Sequence, residues 1–481
     1  MVYNGRVLVY SIVGCPHCKN AKASLTERGI PYTDVSLDMY PESVREDVMK
    51  RTGKTTVPQI FFNAIYIGGN EELQKFIADK KRFQELLQEV VNNEPPADAP
   101  QPPDEATMLS SSAEIDLTCE RDEYAQLVYE LRLSGLITDR RKGLHTYKHT
   151  FVGKEFVDWV VKTKGVDRAK AVEMGQTLLE QKFGHKIKGK SEHFQDDENL
   201  YRLIENDESM ALNSGLPSDC PPRPAGEIGE ILRRLILNIF NEFLSEDGKS
   251  VDYKGIEASD GFKSYVKATS ELIRVDIESA SREEKLAFFT NIYNALVIHA
   301  NVVKGPPVSL WQRYKFFNTV SYIIGSHLYS LQDIENGVLR SNRKGVGMFF
   351  RPFGKDDPRL KVALKNPEPL IHFALVCGAK SCPPIKTYTT DGVDGQLSLA
   401  ANAFLESDDG CQVDVNHKEL KLSRIFCWYR EDFGKNNEEI ASWVLNHLPE
   451  GKKKQQLADL IEGKNVKIGF LKYDWSANSK K

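Results

Sequence analysis

The chain has 481 residues, with 64 Lys and Arg against 68 Asp and Glu and a formal net charge of -4. So even a balance excludes a general electrostatic pull toward nucleic acid, and the length exceeds what one hydrophobic core normally serves, so several modules are expected. Eight cysteines are ordinary usage at this length. The start MVYNGRVLVY lacks the basic lead and long apolar run of a secretory signal, and no apolar stretch approaches the roughly 20 residues of a membrane span. The expectation is a soluble cytoplasmic protein in a reducing setting, where lasting structural disulfides are uncommon.

The first elements are a short apolar strand at Val7 to Ser11 and a helical segment that Cys15 opens and Gly29 ends, within YSIVGCPHCKNAKASL. Pro16 suits the first helical turn, where a missing N–H costs nothing. The Cys15 sulfur therefore lies beside the unpaired amides at the positive end of the helix. Such settings lower a thiol pKa from roughly 8.5 to as little as roughly 3.5 to 7.5. Cys18 lies one turn on, near enough to attack a mixed disulfide formed on Cys15. A zinc site would need two further ligands; His17 leaves the other side of the turn, and no second CxxC exists. The pair reads as a cycling dithiol rather than half a zinc site or one strap of a disulfide framework.

Further on, TTVPQIFFN places Pro58 before an apolar strand, and YIGGNEEL turns through two glycines into a helix start at Asn70. Read alone, the Gly pair would be an ordinary hairpin turn. Together, CPHC, TVP and GG followed by a polar pair resemble glutaredoxin in order and spacing. The resemblance implies a thioredoxin-like fold, Cys15 as nucleophile and Cys18 as resolving thiol, with glutathione as co-substrate. It also implies a cis Pro58 facing Cys15, a Val57 backbone that pairs with the glutathione backbone, and Gly69, Asn70 and Glu71 around the γ-glutamyl end at a helix N-terminus. Two positions depart from the family. Ile12 stands where members often carry Lys or Arg, which would weaken glutathione binding, and Asn70-Glu71 replaces an Asp pair.

Residues 92–113 are rich in Pro, Asp and Ser and read as a disordered linker closing a first module at 1–91. A second module, 114–206, carries three helical periods, at Tyr124 to Leu136, FVGKEFVDWVV and DRAKAVEMGQTLLEQ, and FQDDENLYRLI reads as two short strands around a polar turn. This is winged-helix architecture, and the ordered set RRKGL, GKEFVDWV, GQTLL and LYRL resembles the DEP domain. The third helix carries Glu173 and Glu180 and no basic stripe, so no nucleic acid is expected. The resemblance implies a role in intracellular signalling, with docking to membrane-associated proteins or an anionic lipid surface through Arg140, Arg141, Lys142 and Lys148, read as a loop. A solvated loop is the alternative. His145 and His149 lack a third ligand for a metal.

A Pro-rich linker at 207–224 precedes a third module at 225–478. It opens with the amphipathic EIGEILRRLILNIFNEFLSE. KLAFFTNIYNALVIHANVV sets Asn291, Asn294 and His299 on one helical face. YIIGSHLYSLQDIENGVLR brings His327 and Asp333, and IHFALVCGAKSCPPI, with the look of a central strand, brings His372, Cys377 and Cys382. These phrases and FLKYDWSAN resemble the domain of unknown function 547 family, which carries no established activity. Cys377 could act as the nucleophile of a thiol hydrolase, with His299, His327 or His372 as base and Asn291 or Asp333 orienting it. A metal on His372, Cys377 and Cys382 lacks the close ligand pairs of zinc sites. The remaining reading makes Cys377 and His372 core residues.

The whole is expected to be a multidomain α/β and α+β protein: a thioredoxin-like domain, a winged-helix domain and a C-terminal α/β domain of unspecified fold. As an enzyme it would be a glutathione-linked dithiol oxidoreductase acting on protein disulfides or glutathionylated proteins, cytoplasmic or peripheral to a membrane. Otherwise it would be a redox-sensing scaffold with little turnover.

Overall fold

The computed structural model describes residues 3–12, 15–40, 42–104, 119–187, 193–207, 210–245, 250–379, 382, 385–463 and 466–480. It divides into two compact units, Met1–Glu114 with Ile236–Ala258 and Glu368–Lys481, and Ile115–Leu235 with Ser259–Pro367. The expected third module is thus shared between them.

In the first unit, β1 (Val7–Ser11) is buried throughout. Val7 and Val9 enter one apolar cluster and Leu8 and Tyr10 another, the alternation of a central strand covered on both faces. It is followed by α1 (Pro16–Thr26), β2 (Thr33–Ser36), α2 (Glu42–Thr52), β3 (Gln59–Phe62), β4 (Ile65–Gly68), α3 (Asn70–Ala78) and α4 (Lys80–Asn92). The sheet order is β2-β1-β3-β4, with β1 and β2 parallel and the other pairs antiparallel. This is the thioredoxin-like arrangement expected. Residues 93–104, expected to be disordered, instead lie on this module. Arg6 donates to the Pro100 carbonyl at 2.9 Å and Arg51 to that of Asp98 at 2.8 Å, and Ala99 is buried. Proline-rich chain has little backbone entropy to lose, so a few such contacts hold it. Residues 105–113 of that linker lie outside the described residues.

The second unit begins with the winged-helix module: α5 (Glu123–Leu133), β5 (Thr138–Lys142), β6 (His145–Val152), α6 (Gly153–Lys164), α7 (Arg168–Glu180), β7 (Gly184–Lys186) and β8 (Leu200–Leu203). The sheet order is β5-β6-β8-β7. Three local expectations are corrected. The basic segment is a β-hairpin turning at Gly143, φ +64°, rather than a loop. Phe151 and Val152 complete β6, so α6 starts at Gly153, where a β-carbon would stand 2.2 Å from the Gln195 carbonyl oxygen. Only Leu200–Leu203 of the terminal segment is a strand; its neighbours are β6 and β7.

The expected linker at 207–224 is also structured where described. The Asn213 amide donates to the Thr269 and Ile323 carbonyls and accepts from the Ile323 N–H, standing in for a strand neighbour. Asp219 pairs with Arg132 at 2.7 Å, and Cys220 is disulfide-bonded to Cys119. That bond departs from the expectation of reduced cysteines throughout. The helix Arg282–Lys304 opens on Ser281 and Glu284 as reciprocal caps. It is long and apolar enough to cross a membrane, which the sequence reading missed, but 94% of its apolar window is buried in the protein, as in a core helix.

The C-terminal part of the first unit holds a sheet of Cys411–Asp414, Glu419–Leu422 and Lys467–Phe470, with helices Val393–Glu406, Asn437–His447 and Lys452–Glu462. The expected strand at IHFALV is absent. Pro369–Phe373 is a 3₁₀ turn, because the Glu368 carboxylate accepts the Leu370 N–H at 3.2 Å and Pro369 presets the first helical φ. That turn sends Phe373 into a cluster with Phe404, Phe426, Phe433 and Trp443.

Candidate functional site

Cys15 is the N-cap of α1, and Pro16 follows at the first helical position. Its sulfur accepts the Cys18 N–H at 3.2 Å and lies 3.9 Å from the Val57 carbonyl oxygen. The Val57-Pro58 peptide is cis, and the Val57 carbonyl contact sets it beside Cys15. The Cys18 thiol, donating to Cys15, lowers the Cys15 pKa against the opposing effect of burial; the Cys18 N–H, the Lys386 ammonium and the His17 N–H act in the same direction. Cys18 is shifted the other way, by burial and by the neighbouring Cys15 sulfur. The two thiols are thus shifted in opposite directions, Cys15 toward the thiolate and Cys18 toward the protonated form.

Gly69 caps α3, and a β-carbon there would stand 3.5 Å from the Pro58 carbonyl oxygen. The Gly pair and the cis-proline loop therefore adjoin. The Gly69 N–H donates to the Glu72 carboxylate at 3.0 Å, and Asn70 accepts from Gln74 at 3.2 Å. Glu71 is exposed in the first turn. Glu72 and Lys386 escaped the sequence reading. Glu72 could have been found, since an acid three residues after a cap is a capping-box signal. Lys386 carries no local signal, because it comes from a distant part of the chain.

The C-terminal candidates are divided between the two units. Asn291, His299 and His327 belong to one unit and His372 and Cys377 to the other. His299 bonds the Tyr322 hydroxyl at 2.7 Å, and burial lowers its pKa to about 4, so it is a neutral core imidazole. His327 lies on the strand His327–Ser330, its pKa lowered by burial and by Lys182 and Arg359. Asn291 is buried in its helix. His372 bonds Asp432 at 2.7 Å and stacks on Tyr429 with ring centres 3.9 Å apart. Cys377 lies 3.1 Å from the Cys382 sulfur, with the Tyr473 hydroxyl 3.7 Å and 3.5 Å from the two. Among the described residues no group of three or more His, Cys, Asp or Glu could hold a metal.

Of the basic set, Arg140 is committed to Glu155, at 2.8 and 2.5 Å. Arg141 and Lys142 are exposed beside the hairpin tip, where Leu144 is 92% exposed; Lys142 reaches the Glu198 carbonyl. Lys148 is exposed on β6.

Family models match at three places in this order: "Glutaredoxin" at residues 7–67, "Domain found in Dishevelled, Egl-10, and Pleckstrin (DEP)" at 136–203, and "Protein of unknown function, DUF547" at 277–405. Glutaredoxin 3 of Escherichia coli (strain K12) is 42% identical over 67 residues, 14% of this chain and 80% of that protein. Glutaredoxin 1 of Rickettsia conorii is 33% identical over 96 residues, 20% of this chain and 88% of that protein. Among solved structures, glutaredoxin from Brucella melitensis is 33% identical, covering 18% of this chain and 89% of that one, with a TM-score of 0.16. A buckwheat glutaredoxin–glutathione complex is 24% identical, covering 18% and 79%, with a TM-score of 0.17.

Proposed function

The chain belongs to the glutaredoxin family through its N-terminal residues, and from that premise we propose that it is a glutathione-linked dithiol oxidoreductase whose DEP domain directs it to membrane-associated partners. The observation that carries this reading is the Cys15 sulfur at the helix cap, accepting the Cys18 N–H beside the cis Val57-Pro58 peptide. Its thiolate attacks a disulfide sulfur of a glutathionylated or disulfide-bonded protein, and the target's thiolate leaves. Cys18 then displaces what remains on Cys15, or glutathione does so. Val57 would offer its backbone to glutathione, and the amides of Asn70 and Glu71 its carboxylate.

One contact favours a second reading, a redox sensor with little turnover. Glu72 occupies the Gly69 N–H at 3.0 Å, so a glutathione carboxylate has to compete with a resident one, and Ile12 offers no cation nearby. A hydroxyethyl-disulfide assay with glutathione on the full chain separates the two. The enzyme loses its activity on Cys15→Ser, whereas a sensor shows little difference.

The exposed hairpin supports docking to an anionic surface. Each basic residue near such a surface contributes roughly 1 kcal/mol. Arg141→Glu with Lys142→Glu should therefore weaken binding to phosphatidylserine vesicles roughly tenfold or more, and salt should weaken the wild type over the range in which the Debye length falls below roughly 10 Å. Binding that ignores both changes would make the hairpin an ordinary solvated face.

A further inference from the structure

We propose that Cys377 and Cys382 are a second redox couple, closing to an intramolecular disulfide by exchange with a low-molecular-weight disulfide, namely glutathione disulfide. Their sulfurs stand 3.1 Å apart, roughly 1 Å from the bonded distance of 2.03–2.05 Å. The chain is shaped to hold them there. Gly378 takes φ +76°, a left-handed turn that side chains disfavour, and the Cys382 N–H returns to the Ala379 carbonyl at 3.1 Å. The Cys377 N–H then donates to the Cys382 sulfur at 3.2 Å. The far wall is the C-terminal segment, where the Asn478 N–H donates to the Gly378 carbonyl and Ala477 pairs with Ala379. That segment brings the Tyr473 hydroxyl to both sulfurs, with Tyr473 itself packed against Trp428 and Trp475.

These contacts divide the labour between the two thiols. The Cys377 thiol and the Tyr473 hydroxyl, with the backbone amides of Cys377 and Ala379, lower the Cys382 pKa to about 6 against burial. Cys377 is pushed up by its neighbour Cys382 and by burial. Both residues keep part of their surface at solvent although the sulfurs themselves are buried, and labelling of the pair tests whether a small disulfide reaches them. The Cys382 thiolate attacks one sulfur of glutathione disulfide, its S–S bond breaks, and one glutathione leaves as thiolate. Cys377 gives up its proton and attacks the Cys382 sulfur of the mixed disulfide, expelling the second glutathione. Two protein thiols are oxidised to one disulfide, one glutathione disulfide is reduced to two thiols, and both protons end on glutathione.

The test uses the full chain carrying Cys15→Ser and Cys18→Ser, so that a failure of the N-terminal reading cannot be mistaken for a failure of this one. After equilibration with glutathione disulfide, alkylation and peptide mass mapping should show loss of labelling at Cys377 and Cys382 together, with a linked peptide that excess reduced glutathione reopens. Both cysteines remaining fully alkylatable would overturn the proposal, as would a reaction that stops at a stable glutathione adduct. In Cys377→Ser the adduct should accumulate on Cys382, and an unmodified Cys382 in the folded variant would refute its role as the attacking sulfur. Should that variant not fold, the Cys15→Ser, Cys18→Ser chain still decides the main question.

Discussion

The first unit holds two cysteine pairs that use one contact with opposite polarity. In CPHC the N–H of the second cysteine points at the sulfur of the first, at 3.2 Å, and in CGAKSC the N–H of the first points at the sulfur of the second, also at 3.2 Å. The thiolate-favouring sulfur follows the contact: Cys15 in one pair, Cys382 in the other. The supporting structure differs as well. Cys15 has a helix N-terminus behind it, whose amides are ready-made donors, whereas Cys382 has a glycine turn and one tyrosine hydroxyl. In both pairs the sulfur shifted toward the thiolate is the one the partner's donors point at, whatever the chain order and whether or not a helix stands behind it.

The most severe way to break this comparison is to remove the sulfurs. Cys15→Ser should abolish glutathione-dependent disulfide reduction, a loss on the order of 10³-fold or more, as for other nucleophiles acting in a unit. Cys18→Ser should keep deglutathionylation and lose the two-thiol reduction of protein disulfides. Faster alkylation of Cys18 than of Cys15 at pH 6 would reverse the assignment. A smaller effect is expected at Tyr473→Phe. A hydrogen bond to a charged group is worth roughly 1.5–3 kcal/mol, and losing this donor disfavours the thiolate, so the Cys382 pKa rises from about 6. Its iodoacetamide labelling at pH 6 to 7 should slow severalfold while Cys15 labelling is unchanged. An unaltered Cys382 profile would leave the backbone and Cys377 as its only activators.

The first pair was legible in sequence because its geometry is local. Cap, proline and second cysteine all fall within one helical turn, so spacing alone fixes their relation. The second pair was visible only as two cysteines five positions apart. What joins them is the Gly378 turn and a wall of chain some 90 residues further on, and spacing carries neither. The same limit explains the missing strand at IHFALV. Its apolar run fits a buried strand or a buried turn equally well, and Glu368 with Pro369 decided for the turn. The histidines are ambiguous for a related reason: in sequence His299 and His372 fit spare bases as well as core residues, and Tyr322 and Asp432, distant in sequence, are what engage them. The two apparent linkers show that proline-rich composition bounds core formation but not contact, since Arg6, Arg51 and Asn213 find partners in or beside them.

The gentlest test concerns the cation that the first pair borrows. Ile12 stands where the family often carries Lys or Arg, and the cation that acts on Cys15 is Lys386, four residues beyond Cys382. Its ammonium lowers the Cys15 pKa, while Lys386 itself is lowered by burial and by Arg45 and held up in part by Cys15 and Asp38. Lys386→Met removes a positive charge that favours the ionised thiol, so the Cys15 pKa must rise. Alkylation and turnover should fall severalfold near pH 6 and converge with the wild type at high pH, where the thiol is ionised in both. Lys386→Arg, which keeps the charge, should restore the low-pH rate. A lysine that merely fills space would give the opposite pattern, with methionine tolerated at every pH, and the activation of Cys15 would then rest on its own helix and Cys18 alone.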